Sequence, residues 1–365
     1  MASEHDYGLL SSYAGLLTLA TTSIYIGSFS SLPPKKTKKG KDAESDSEDE
    51  EDIIEPLSSQ EAYLFPIIGS VTLLGLFLII KYVGKEWINW VLGWYFTFSG
   101  FGSVWKTSIS AAKKLVGAER WKKFEQYTFS IRCRTDSEGP SLLLSVSART
   151  PSLLMLPAAL AFVTLYSASG GRSVLLSNIL SLSFCNTALA YVRLDSFATG
   201  TILLSGLFLY DIWWVFGTPV MVSVATSIDA PIKLLWPKSL DFGNARGYTM
   251  LGLGDVVVPG IFVALALRYD YHRFIELSSK NIAKATFKKP YFHAALVAYV
   301  SGLVTTMAVM HTFKAAQPAL LYLSPACIIS FLIIACARGE FADAWGWSDT
   351  TPEQPSESER HIKST

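Results

Sequence analysis

Nine stretches of this 365-residue chain are apolar for long enough to cross a lipid bilayer, which takes about 20 residues of helix. They run over Tyr7–Ser30, Leu64–Val83, Trp87–Trp105, Ser152–Ser167, Val174–Val192, Thr199–Thr226, Tyr248–Leu267, Tyr291–Thr312 and Leu320–Ala337. Lipid offers no partner to backbone N–H and C=O groups, so each span is expected to be helical throughout. The reading is an all-α, polytopic membrane protein with nine transmembrane helices. Only 17% of the chain is charged, against about a quarter in soluble domains. A net charge of +1 gives no reason to expect nucleic acid as a partner. The fourth run is short. The fifth is diluted by Ser177, Asn178, Ser181, Ser183, Asn186 and Thr187.

The loops set an orientation. With the N-terminus exoplasmic, the segments on the cytosolic side carry 24 Lys and Arg and those on the other side 7, the sense of the positive-inside rule. No basic residue precedes Lys35, and Glu4 and Asp6 precede the first span, so this segment does not read as a cleavable signal. The expected organisation is an exoplasmic N-terminus with the first span (1–30), a charged, disordered cytosolic loop (31–63), spans two to nine (64–338) and a disordered cytosolic tail (339–365). In the first loop, KKTKKGK is followed by DAESDSEDEEDIIE. Ser45 and Ser47 sit among its acids as candidate phosphorylation sites. Cys133, Cys185, Cys327 and Cys336 form no CxxC pair and the five histidines form no HExxH, so no metal and no cofactor is expected.

An ionised side chain at mid-bilayer costs about 2.5–3.5 kcal/mol on insertion scales. Two carboxylic acids nevertheless lie deep in the spans: Asp211 in LSGLFLYDIWWVFGTPV and Asp255 in YTMLGLGDVVVPGIFVALALRY. Asp211 is 12 residues, roughly 18 Å, into the sixth span from its cytosolic start. Asp255 is 13 residues, roughly 20 Å, from the cytosolic end of the seventh. Consecutive spans tend to pack side by side, so the two carboxyls can meet at one level. Two carboxyls in contact cannot both ionise. They share one proton and titrate as a unit. The ionised member can then draw a proton from a water while the protonated member donates to a peptide carbonyl. Two unrelated structural acids, a proton-coupled transporter or a membrane protein that holds peptides without cutting them would also place acids here.

The neighbouring sequence is distinctive. Gly252 and Gly254 bracket Leu253 just before Asp255, at about 1 kcal/mol each relative to alanine in a helix. Tyr210 precedes Asp211, although side chains at i and i+1 do not share a helix face. Gln317-Pro318-Ala319-Leu320 opens the last span. Pro318 either punctuates the helix start or leaves a non-helical stretch able to pair with an extended peptide. Counted back from Arg338, a straight helix puts Pro318 about 10 Å beyond the depth of the acids. Lys233, Trp236 and Lys238 in APIKLLWPK read as an interfacial anchor or, equally, as a gate for substrate.

Tyr210-Asp211, Gly252-Leu253-Gly254-Asp255 and Gln317-Pro318-Ala319-Leu320 resemble, in order, the YD, GxGD and PAL motifs of the intramembrane aspartyl proteases. The strings FLYDIWWVFGTPVMVSVA, MLGLGDVVVPGIFVALALRYD and AAQPALLYLSPACI look more like the signal peptide peptidase branch of that family than the presenilin branch, densest over about 196–337. The resemblance implies nine spans, with Asp211 and Asp255 on adjacent helices six and seven as the catalytic pair. It implies Tyr210, Gly252, Leu253 and Gly254 as active-site support, and Gln317, Pro318, Ala319 and Leu320 as a segment shaping the substrate site. It implies hydrolysis within type II transmembrane segments, including signal-peptide remnants, in the endoplasmic reticulum membrane, with a luminal N-terminus. Homo-oligomers or degradation-machinery partners would fit such a protein. The residues end in His361-Ile362-Lys363-Ser364-Thr365, with no dilysine signal, and hold no Asn-x-Ser/Thr acceptor.

Overall fold

The structure, a computed structural model, describes residues 2–33, 56–121, 123–135, 138–170, 173–228, 230–238, 247–279, 287–313 and 317–349. The stretch holding Ser45 and Ser47 and the tail from 350 onward lie outside the described residues. In chain order the elements are α1 (Ala2–Ser30), α2 (Ser59–Tyr82), α3 (Lys85–Val116), the one-turn α4 (Ala118–Trp121), strands β1 (Gln126–Thr135) and β2 (Glu138–Arg149), α5 (Thr150–Ala168), α6 (Val174–Tyr191), α7 (Phe197–Phe216), α8 (Val220–Ser227), β3 (Lys233–Pro237), β4 (Tyr248–Gly252), α9 (Gly254–Ser279), α10 (Pro290–Phe313), α11 (Leu320–Ala337) and α12 (Phe341–Gly346). Among the described residues, seven helices are long and apolar enough to cross a membrane: α1, α2, α5, α6, α7, α10 and α11. Their outer faces are apolar too. Ile67, Ile68, Val71, Leu74 and Leu78 of α2 are all exposed, a stripe suited to lipid and far beyond the scattered apolar exposure of a soluble surface. This is a multi-pass helical membrane protein.

The main core lies where α1, α6, α7, α9, α10 and α11 meet, with Leu189, Phe197, Phe262, Phe292, Tyr299 and Leu323 fully buried. Helices α7 and α9 approach closely at Gly200, where an added Cβ would lie 2.8 Å from the Phe262 ring. Any larger residue there would push the two apart. Helix α2 backs α7 on its other side. Trp214 donates to the Ser70 hydroxyl at 3.0 Å, and the Tyr210 ring stands against Gly69. The capping box of α2, in which Ser58 and Glu61 satisfy each other's backbone N–H groups, starts that helix at Ser59, five residues before the expected span.

The sequence reading needs correction in four places. The seventh span is not helical throughout, because Tyr248–Gly252 is strand β4, paired antiparallel with β3 over Lys233↔Gly252 to Pro237↔Tyr248. Gly247 at φ 92° and Pro237 close the hairpin at one end. The Leu253 N–H, bonded to the Ile232 carbonyl at 2.8 Å, carries the pairing to the start of α9. These backbone groups are satisfied without a helix, partly by α6. Asn178 exchanges two hydrogen bonds with the backbone of Leu235, at 2.7 and 2.8 Å, and Ser181 donates to the carbonyls of Pro231 and Lys233. The polar residues that dilute the fifth span therefore hold a strand edge. The sixth run also breaks. Pro219, which has no N–H to continue the ladder, separates α7 from α8. Trp236 is no loose anchor, since it packs on β3 against α1 at Gly15, and Lys233 donates to the Ala225 carbonyl.

The fourth correction concerns the two segments expected to be disordered, 31–63 and 339–365, each of which has an ordered part. Leu57 pairs with Leu194, its N–H on the Arg193 carbonyl at 2.7 Å, and the Asp349 N–H bonds the Asp195 carbonyl at 2.6 Å. Arg268, just past the middle of α9, bonds the Asp349 carboxylate and the Leu194 carbonyl. Trp347 packs on Tyr269 and Phe197. Three distant segments thus form a clasp across the start of α7. Aromatic packing and a buried charge pair outweigh the polar composition that made the tail look unstructured. Strands β1 and β2 form a second hairpin that the apolar pattern does not reveal.

Candidate active site

Asp211 lies in the next-to-last turn of α7 and is 4% exposed. Its Oδ2 accepts a hydrogen bond of 3.1 Å from the backbone N–H of Leu320, the first residue of α11. Leu320 has a free N–H because the four donors at a helix start have no partner within the helix. Pro318 and the preceding Gln317 are not helical. The Gln317–Leu320 stretch therefore sits level with Asp211, its Gln317 amide oxygen accepting from the Tyr322 hydroxyl at 3.4 Å. The 10 Å mismatch expected from the sequence has a simple origin. Phe331, not Arg338, stacks on Phe197 at the start of α7, with ring centroids 4.1 Å apart. Seven residues of α11 and its cap overshoot that level, which is about 10 Å of helix.

Asp255 is the second residue of α9 and is partly buried. It stands at the junction where β4 ends and α9 begins, so its position is set by the hairpin as well as by the helix. It lies close enough to Asp211 for that residue's charge to act on it. The two glycines before it behave differently. A Cβ on Gly252 would lie 3.1 Å from Asp255 Oδ2, tighter than ordinary contact, whereas a Cβ on Gly254 would meet nothing within 4 Å. Leu253 packs on the core with its backbone tied to β3. Tyr210 faces α2, away from the acid that follows it.

The structure thus brings Leu320 to Asp211 and Gly252 to Asp255, and sets Tyr210 to the side. One residue was missed. Tyr299 of α10 is fully buried, lies within electrostatic reach of Asp255, and its hydroxyl has no hydrogen-bond partner among the described residues. A tyrosine at the centre of an apolar run, where its oxygen needs a partner, was the available signal. Cys185 and Cys327 are buried free thiols, and Cys336 is exposed. Among the described residues, no group of three or more His, Cys, Asp or Glu could hold a metal ion.

Asp211 within α7 and Asp255 where β4 gives way to α9 are two carboxyl groups inside a polytopic helical bundle. The family model for signal peptide peptidase matches residues 47–351. The chain is 36% identical to human signal peptide peptidase over 350 residues, covering 95% of this chain and 86% of that one. It is 36% identical to the mouse signal peptide peptidase over 361 residues, covering 98% and 89%. It is 34% identical to a probable intramembrane protease of Schizosaccharomyces pombe over 318 residues, covering 87% and 92%. The chain belongs to the signal peptide peptidase family. It is an intramembrane aspartyl protease.

Proposed function

We propose that Asp211 and Asp255 are the catalytic pair of this protease, and that it cuts peptide bonds inside type II transmembrane segments such as signal-peptide remnants. The reading takes α3 and α9 as spans beside the seven helices named above, giving nine, with Asp211 and Asp255 on neighbouring spans six and seven. The end of the bundle bearing the clasp faces the cytosol and the N-terminus faces the lumen of the endoplasmic reticulum. The surplus of Lys and Arg on the clasp side supports the orientation. The likeness to named signal peptide peptidases supports the substrate class and the location.

The chemistry follows from a shared proton. One carboxylate takes a proton from a water between the acids while the protonated partner donates to the scissile carbonyl. Water adds to give a gem-diol, and the C–N bond breaks as the proton roles reverse. The backbone N–H of Leu320 fixes one lobe of Asp211 and leaves the other for that exchange. A substrate helix shields its own peptide bonds, so it must unwind before attack. Strand β4 leads directly to Asp255. The outer edge of β3 is already occupied by Asn178 and Ser181, which leaves the edge of β4 to pair with an unwound peptide. Gln317–Leu320 borders the same space.

The observation that carries this reading is the Leu320 N–H on Asp211, which joins the last span's opening motif to the acid of the sixth. The test is purified full-length protein in detergent with a labelled signal peptide, products read by mass, with and without a hydroxyl-isostere inhibitor. Asp211→Asn and Asp255→Asn should each lower cleavage roughly 10²–10⁴-fold or more, since an amide cannot pass the proton. Either variant cleaving at the parent rate would sink the assignment. Intact peptide trapped by the parent protein would favour a holding function instead.

A further inference from the structure

Away from the acids, the clasp end of the bundle holds a cavity of about 440 Å³ lined by Phe287, Lys288, Lys289, Pro290, His293 and Arg338. Three of the six are cations at neutral pH, a fourth is histidine, and none is an acid. The cavity sits where the residues leading into α10 meet the end of α11. Two carboxylates lie nearby, and both are occupied. Asp270 is 3% exposed and accepts the Phe292 backbone N–H at 2.9 Å. Glu340 binds Arg273 and the Arg338 Nε. Among the described residues, Lys288 and Lys289 have no carboxylate partner. Lys289 instead lies over the rings of Phe29 and Phe287, 4.5 and 5.1 Å from their centroids.

Lys288 and Lys289, close together without a carboxylate of their own, repel each other, and an anion in the cavity removes that cost. The surroundings select the kind of anion. Phe29 ends α1, and Phe287 and Pro290 give the cavity an apolar wall at the level where membrane helices terminate. A basic pocket between helix ends at a membrane surface suits the phosphate of a lipid headgroup, with its glycerol and acyl chains running down the apolar side. We propose that this cavity binds the headgroup phosphate of an anionic phospholipid from the leaflet on the clasp side.

The test uses the full-length protein in two arms. In the first, nanodiscs of phosphatidylcholine doped with phosphatidylinositol are used, and retained lipid is counted by native mass spectrometry. In the second, the protein in neutral detergent is titrated with inorganic phosphate alone. Lys288→Gln/Lys289→Gln should weaken phosphatidylinositol retention about tenfold or more, each lysine near a membrane surface adding a similar increment. Lys288→Arg/Lys289→Arg should retain it. The Gln pair should cleave signal peptide in neutral detergent at the parent rate, which shows that it is folded. Lys113→Gln/Lys114→Gln, an equal charge change on α3, should leave retention unchanged. Equal retention by parent and the Gln pair would overturn the site. Tight phosphate binding in detergent with no retained lipid would overturn the lipid assignment.

Discussion

At the scale of single residues, the two glycines of the GxGD motif separate by what surrounds them. A methyl on Gly252 presses on the Asp255 carboxylate, while one on Gly254 points into open space. Gly252→Ala should therefore lower cleavage by an order of magnitude or more, because a small misplacement of a reacting group is costly. Gly254→Ala should remain folded and keep most of its activity. Initial rates on one labelled peptide, with thermal stability as the folding control, check both, and equal losses would remove the distinction. The sequence marks the two acids by cost, since a carboxyl deep in an apolar run demands a reason. It does not reveal that Leu320 donates to Asp211, because that bond joins residues 109 positions apart. Nor does it tell which glycine is crowded, because crowding depends on a side-chain direction that spacing does not contain.

At the scale of elements, the helices on either side of the loops were legible. The run over Leu320–Ala337 coincides with α11, and Val174–Val192 with α6 to within one residue. Length and apolarity are enough when lipid enforces backbone pairing. The hairpin of β3 and β4 was not legible, because an apolar run with Gly and β-branched residues satisfies either pattern. The clue was displaced onto another element, in the hydroxyl and amide groups of α6. Asn178 completes both hydrogen bonds at Leu235, and removing it leaves a partly buried N–H and C=O unpaired. Asn178→Leu should make α6 more apolar yet destabilise the protein by about 1–3 kcal/mol, with cleavage falling more than binding as the hairpin loses its backing. Thermal unfolding and a kcat against KM comparison read both. A stabilised variant would show that Asn178 merely tolerates its place.

At the scale of the whole molecule, charged clusters at the clasp end fasten helices that the bilayer alone leaves free to slide. Glu340 is gripped by Arg273 and Arg338 and receives the Tyr291 hydroxyl at 3.3 Å. Burial alone would raise its carboxyl above the usual value, but the hydrogen bonds and charges of the two arginines outweigh that and hold it lower. The folded chain therefore takes up this proton less readily than the unfolded one. Its contribution is complete above the ordinary carboxylate value of 4.5 and is lost as pH falls through the depressed one. Glu340→Gln should cost about 1–2 kcal/mol near neutral pH, given partial exposure of the cluster. The gap between variant and parent should narrow as pH falls below 4.5. Thermal unfolding of both across that range measures it, and a gap that widens in acid would refute the assignment.

The pairing of residues 57, 194–195 and 349 also has a bearing on how the enzyme is made. A ribosome adds residue 57 early and residue 349 only after α1 to α11 have been made. The last stitch over the start of α7 is therefore tied only after α11 has been made. Until then the start of the helix bearing Asp211 has its early tie to residue 57 but not the late one, so the order of synthesis sets the order in which this end of the bundle is fastened.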